Sequence, residues 1–260
     1  YRQRSDDFGP DDRPIAQHKD AQIATAAIDI LRGMARRESS FFVSVGSSLP
    51  HTPLRCPSDY WELFADVEFP MPPDWDRQPP SFNPDIFTER WPTAEEVREA
   101  TRAYYASVAF VDAQVGRILE ALEATGLSER TIVVLTSDHG FHLGEHGRWS
   151  KYTLYDESLR VPFIVRVPGN PENGSVCEEI IELVDLVPTL CELLELDAPE
   201  GLEGISFAPL LSAPKTAWKK AAFSSVFKGL EGRAIRTKRH RYSEWYRGTE
   251  LVRCELYDLV

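Results

Sequence analysis

The stretch TIVVLTSDHGFHLGEHGRWSKY, residues 131–152, sets an apolar run against a segment crowded with histidine, glycine and charge. Thr131 to Thr136 reads as a buried strand. Ser137, Asp138, His139 and Gly140 then emerge at its carboxyl end, where open α/β sheets place their ligands. The carboxylate of Asp138 suits a hard divalent cation such as calcium or magnesium, and His139 is a softer partner for one. One Asp and one His do not complete a site, and the same pair can equally cap a turn, Asp138 accepting from the backbone and His139 packing beside it. Gly140, Gly144 and Gly147 favour a shaped loop, because glycine admits left-handed turns and close backbone approach. Arg148 and Lys151 bring positive charge within a few residues of the acid, as binding of a tetrahedral oxyanion requires. His142 and His146 read as surface or hydrogen-bonded loop histidines.

Outward from this stretch, helices and strands alternate. KDAQIATAAIDILRGMARR, 19–37, repeats its apolar residues at three- and four-residue intervals, the stripe of an amphipathic helix. FFVSVG, 41–46, reads as a buried strand. From Ser47 to Pro92 the chain is Pro-rich and aromatic, which predicts a long surface excursion without regular helix. A helix follows from about Ala94 to Ala124, ended by Gly126. PFIVRV, 162–167, is a further strand, and VDLVPTLCELLEL, 184–196, a further helix in which Pro188 is tolerable only in a first turn or at a kink. This order predicts an α/β class with a mostly parallel sheet flanked by helices. After about residue 200 the pattern changes to AAFSSVF, GRAIRTK, HRYSEWY and CELYDLV, short strands of a small antiparallel subdomain. The expected division is an incomplete α/β core over 1–200, then a linker and a truncated antiparallel subdomain over 201–260.

Composition removes several function classes. The 260 residues carry 29 Lys and Arg against 41 Asp and Glu, a net charge of -12, which argues against a generic nucleic-acid binder. No run of 18 or more apolar residues suggests a membrane span, and the first residues contain no apolar signal core. Cys56, Cys177, Cys191 and Cys254 have no zinc-like spacing, and both unpaired thiols and disulfides stay open. Arg233, Arg236, Lys238, Arg239 and Arg241 could touch a polyanionic glycan, but such a run is more often the solvated face of a strand.

LTSDHGFHLGEHGRWSKYTLYDESLRVPFIVRVPG, 135–169, resembles the carboxyl-terminal half of the sulfatase core in the alkaline phosphatase superfamily, most like the iduronate-2-sulfatases and their bacterial relatives. FFVSVGSSLPHTPLRCP, YYASVAFVDAQVGRILEALE, VDLVPTL, RTKRHRYSEWY and CELYDLV extend the resemblance in order over nearly the whole chain. It implies a calcium-dependent sulfatase, a sulfuric ester hydrolase acting on a sulfated sugar of the uronate-2-sulfate kind. Asp138 and His139 match residues that help hold the metal, Lys151 a lysine that grips the sulfate, and His51, in Pro-His-Thr-Pro, a histidine near the bridging oxygen. An imidazole there is a plausible proton donor to a leaving alkoxide. Phe141 stands where relatives often carry Trp, and Ser48-Leu49-Pro50-His51 where they carry His-x-Pro-His, so the sugar-facing positions differ; Phe141 and Arg148 are the expected substrate-binding residues beside His51 and Lys151.

The family's nucleophile is a formylglycine made from Cys or Ser in a Cys-x-Pro-Ser-Arg or Ser-x-Pro-Ser-Arg signature. Cys56-Pro57-Ser58 lacks that form, and Asp6-Asp7 and Asp11-Asp12 lack the strand setting of the family's early metal ligands. The chain is therefore expected to be a carboxyl-terminal fragment, inactive alone. The intact protein is expected to need a formylglycine-generating maturation enzyme and to be exported. The rival readings are a phosphoester or phosphonate hydrolase of the same superfamily and a non-catalytic glycan-binding homologue.

Overall fold

A computed structural model describes residues 7–77 and 92–260. In chain order its elements begin with β1 (Phe8–Asp11), α1 (Lys19–Met34), β2 (Leu54–Pro57), α2 (Ser58–Glu62), α3 (Ala94–Ala124) and β3 (Val133–Thr136). Then come β4 (His142–Leu143), β5 (Trp149–Ser150), α4 (Asp156–Leu159), β6 (Phe163–Arg166), α5 (Leu186–Leu193) and α6 (Ala208–Ser212). Four strands end the chain: β7 (Ala222–Lys228), β8 (Leu230–Arg236), β9 (His240–Arg247) and β10 (Glu250–Asp258). Two compact units result, one reaching to Thr131 and including Phe141–Ser150, the other made of Ile132–Gly140 and Lys151–Val260.

In the first unit α3 is the organising element. Thr93 opens it with a capping box, its hydroxyl accepting the Glu96 N–H at 3.3 Å while its own N–H donates to the Glu96 carboxylate at 2.8 Å. Gly126, at φ +71°, closes it. Val97, Ala100, Ala103, Ala106 and Phe110 form its buried stripe, and α1 lies against α3 with Ala21, Ala24, Ala27, Ile28 and Leu31 buried. Alanine on both helices permits close approach, and a fully buried Phe110 contributes on the order of 2 kcal/mol. The parallel pair β1–β2, Phe8 opposite Leu54, packs on the same helix.

Three expectations are corrected here. No strand forms over 41–46, where Phe42 is 82% exposed; apolar alternation gives a segment the capacity for a strand, but a ladder needs a partner, and none pairs with it among the described residues. The Pro-rich excursion holds both a strand and a short helix, with Leu54, Cys56 and Pro57 fully buried. Proline at the residue just before a helix leaves the helical N–H groups intact, so composition alone misjudged the segment. Residues 78–91 of that excursion lie outside the described residues. Finally, β3 and β6 pair antiparallel, Val133 opposite Arg166 and Thr136 opposite Phe163, so the α/β class holds while parallel pairing among the described residues is confined to β1–β2.

The second unit ends in the expected antiparallel sheet, ordered β10-β9-β8-β7. The basic run on it is neutralised in place: Arg233 pairs with Glu231, Lys238 with Glu179 and Arg239 with Asp258, while Arg236 and the buried Arg241 share Asp156. All four cysteines are free thiols. Pro188 falls in the first turn of α5, where the missing N–H is harmless. Just before it, the fully buried Asp185 accepts from the Glu182 N–H at 2.8 Å, the Ile205 N–H at 2.8 Å and the Lys219 ammonium at 2.7 Å. Burial pushes the Lys219 pKa down, but its hydrogen bonds to Asp185 and Glu182 outweigh that and raise it. Asp185→Ala leaves two amides and a cation without this carboxylate, and should lower the unfolding free energy by about 3–5 kcal/mol in urea titrations. A loss below about 1 kcal/mol would show that water replaces the carboxylate.

Candidate active site

At the end of β3 the backbone bends into Ser137-Asp138-His139-Gly140. The Ser137 hydroxyl donates to the His139 carbonyl at 2.9 Å, and Asp138 Oδ1 accepts the His139 N–H at 3.0 Å. Asp138 thus does cap its own turn, and with one oxygen only. His139 Nδ1 lies 2.8 Å from the Gly140 carbonyl, which can only accept, so Nδ1 carries the proton and Nε2 presents a lone pair. Into that lone pair the Lys151 ammonium donates at 2.8 Å. The second Asp138 oxygen, Oδ2, lies 3.4 Å from the same Nε2. A carboxylate oxygen and an imidazole lone pair therefore converge beside one cationic head, and the Asp138 side chain is 84% exposed to whatever approaches.

This donor set fits part of a calcium shell. Asp138 supplies hard oxygen and His139, once the Lys151 ammonium leaves Nε2, an unprotonated nitrogen whose tautomer is fixed from behind, as metal-bound histidines usually are. Calcium takes about six to eight ligands, and among the described residues no third His, Cys, Asp or Glu joins these two.

His51, Phe141 and Arg148 belong to the first unit, and among the predicted residues His139 touches both Asp138 and Lys151. His51 is exposed on a loop whose two X-Pro bonds, Leu49-Pro50 and Thr52-Pro53, are cis. Its Nδ1 lies 2.7 Å from the Thr52 carbonyl, which assigns the proton to Nδ1 and leaves Nε2 as the nitrogen able to exchange one with a ligand. The loop is held by a residue the sequence reading missed. Asp20, 3% exposed in the first turn of α1, accepts the backbone N–H of Ser48 at 2.5 Å and of Leu49 at 3.2 Å. Its acidic first-turn position is visible in the sequence, but reads only as a favourable helix charge.

Phe141 stacks on Tyr104 of α3, centroids 5.3 Å apart, and so serves packing in the first unit. The glycine loop behind it closes through Arg148, whose N–H donates to the Glu145 carbonyl at 2.9 Å and whose carbonyl accepts from Gly144 at 3.0 Å. Gly144 and Gly147, at φ +114° and +60°, adopt the left-handed backbone foreseen for them. His146 is a hydrogen-bonded loop histidine, its N–H donating to Asp74 at 3.0 Å. His142 is no surface residue: it is wholly buried, because β4 turns it inward against the rest of the unit.

Comparison with known proteins agrees with this architecture. The sulfatase family profile matches residues 2–196, and the profile of the N-sulphoglucosamine sulphohydrolase carboxyl-terminal region matches 144–260. Iduronate 2-sulfatase from Mus musculus is 33% identical over 230 residues, covering 72% of this chain and 42% of the mouse protein. An arylsulfatase from Clostridium perfringens is 33% identical over 212 residues, covering 78% of this chain and 44% of its own. The crystal structure of a phosphonate monoester hydrolase from Agrobacterium radiobacter superposes with a TM-score of 0.80 at 26% identity, over 94% of this chain and 55% of that one. The chain spans less than half the length of these two curated relatives. With one profile running across the strand-end cluster and most of the chain, the protein belongs to the sulfatase family.

Proposed function

We propose that these 260 residues are the part of a sulfate ester hydrolase that carries the sulfate grip and the leaving-group acid, acting on a sulfated sugar of the uronate-2-sulfate kind. The observation that carries this reading is the meeting of the Lys151 ammonium with His139 at 2.8 Å, beside Asp138. In a chain of net charge -12, an anionic substrate needs a local cation, and Lys151 supplies one here. The relatives named for iduronate 2-sulfate and aryl sulfate support the ester class.

Lys151 holds a sulfate oxygen through its ammonium, and the Nε2 lone pair of His139 that accepts from it in this structure would pass to the metal when calcium binds. Calcium, held in part by Asp138 and His139, would supply further positive charge to the sulfate oxygens. The nucleophile, a formylglycine made by a maturation enzyme, would stand outside these residues. His51 keeps Nδ1 on the Thr52 carbonyl and, when its ring is protonated, gives the Nε2 proton to the departing sugar oxygen. Phe141 and Arg148 would flank the substrate. Export of the intact protein and a division near residue 200 belong to the same proposal, and among the described residues no helix is long and apolar enough to cross a membrane. The Agrobacterium structure favours one second reading, hydrolysis of a phosphonate or phosphate ester by the same grip.

The full-length protein, matured with its activating enzyme, should release sulfate from a uronate-2-sulfated disaccharide faster than it cleaves a phenylphosphonate ester; phosphonate cleavage without sulfate release would overturn the first reading in favour of the second. Lys151→Ala should lower kcat/KM for the sulfated sugar by roughly a hundred- to a thousandfold, and a loss under about tenfold would remove Lys151 from the grip. His51→Ala should cost about a hundred- to ten-thousandfold on the sugar sulfate. On 4-nitrophenyl sulfate the loss should be far smaller, since nitrophenolate leaves without a proton; equal losses on both substrates would rule out the acid role.

A further inference from the structure

Ser158, 4% exposed on α4, is tied to both arms of the cluster. Its carbonyl accepts the N–H of Gly140, the residue that follows His139, at 2.8 Å. Its hydroxyl donates to the carbonyl of Lys151 at 2.8 Å and accepts from the Thr153 hydroxyl at 2.9 Å. A hydroxyl has one proton, so the bond to Lys151 commits it, and the bond from Thr153 fixes its direction. The joint at Gly140 has no slack, because a Cβ there would stand 2.0 Å from the Glu157 carbonyl oxygen.

Four residues of helix are too few to hold themselves, and α4 is held from outside. The Asp156 carboxylate accepts from Arg241 Nη1 at 3.0 Å and from Arg236 Nη2 at 3.2 Å. The buried Arg241 guanidinium lies 5.0 Å from the ring centroids of both Tyr155 and Tyr257, whose hydroxyls are 3.1 Å apart. The terminal sheet thereby turns α4 into a fixed bracket.

We propose that Ser158 is a positioning residue, joining the Asp138-His139 arm through the Gly140 amide to the Lys151 arm through the Lys151 carbonyl, and so setting where the Lys151 ammonium stands. Its effect on rate rests on the sulfatase reading; its effect on the geometry does not. A serine that only fills the core would lower stability and leave Lys151 in place.

The experiment uses the matured full-length protein with Ser158→Ala, Ser158→Thr, Lys151→Ala and the Ser158→Ala/Lys151→Ala double variant. Ser158→Ala should lower kcat/KM for the sulfated sugar by about ten- to a hundredfold, and Ser158→Thr should restore most of it. In the Lys151→Ala background the same change should matter by less than about twofold, because Ser158 acts through Lys151. In the metal-free protein the nitrogen NMR resonance of His139 Nε2, which accepts from the Lys151 ammonium, should shift in Ser158→Ala and return in Ser158→Thr. Equal losses in both backgrounds, or a Ser158→Ala rate within about twofold of the parent, would overturn the proposal. If the parent protein releases no sulfate, the sulfatase reading fails, and the His139 Nε2 resonance decides: a shifted resonance upholds the bracket, and an unmoved one overturns it.

Discussion

The hydrogen bond from the Gly140 amide to the Ser158 carbonyl, 2.8 Å long, is the constraint on which the site depends. A chain leaving a strand with a carboxylate and an imidazole exposes polar groups that water can solvate in many arrangements. Here the backbone immediately past them is pinned to α4 at Ser158, and the lysine whose ammonium meets the imidazole is pinned to the same residue. The 2.8 Å contact between Lys151 and His139 joins two segments whose backbones share an anchor at Ser158. Side-chain entropy of a long lysine would otherwise favour a spread of positions.

The glycines of the opening stretch illustrate how one residue type serves two different demands. Gly144 and Gly147 are needed for positive φ, which a loop rich in Gly-x-x-Gly spacing advertises. Gly140 is needed because the Glu157 carbonyl occupies the place of a side chain. The first demand is local and can be read along the chain. The second arises from a segment seventeen residues onward, and only the fold reveals it.

Helical periodicity was legible throughout. The span from Ala94 to Ala124 and the start of α1 at Lys19 coincide with the apolar repeats and their end signals, and the four terminal strands fall where turns divide them. Partnership was not legible. FFVSVG has strand chemistry and no ladder, β3 and β6 run antiparallel, and LRCP forms a buried strand inside a proline-rich stretch. The same limit applies to the site. Asp138, His139 and Lys151 lie close in sequence and lie together in the structure, whereas Asp20 acts on amides 28 and 29 residues away, and Asp156 on arginines 80 and 85 residues away. Charge type is written in the residue, and its partner is written in the topology.

The chemistry at position 151 also explains why a lysine suits it better than an arginine. An ammonium has three protons on a compact centre; one goes to His139 Nε2 in this structure, and on the proposed reading the others face the oxygens of a sulfate. A guanidinium spreads its charge over a planar fork that pairs edge-on with a carboxylate, and its donors could not keep the imidazole and turn toward an oxyanion independently. His139 in turn can accept only because Nδ1 is committed to the Gly140 carbonyl at 2.8 Å. A carbonyl on one side of the ring thus decides what the other side can bind, and the backbone, through Gly140, sets the chemistry of a side chain it does not carry.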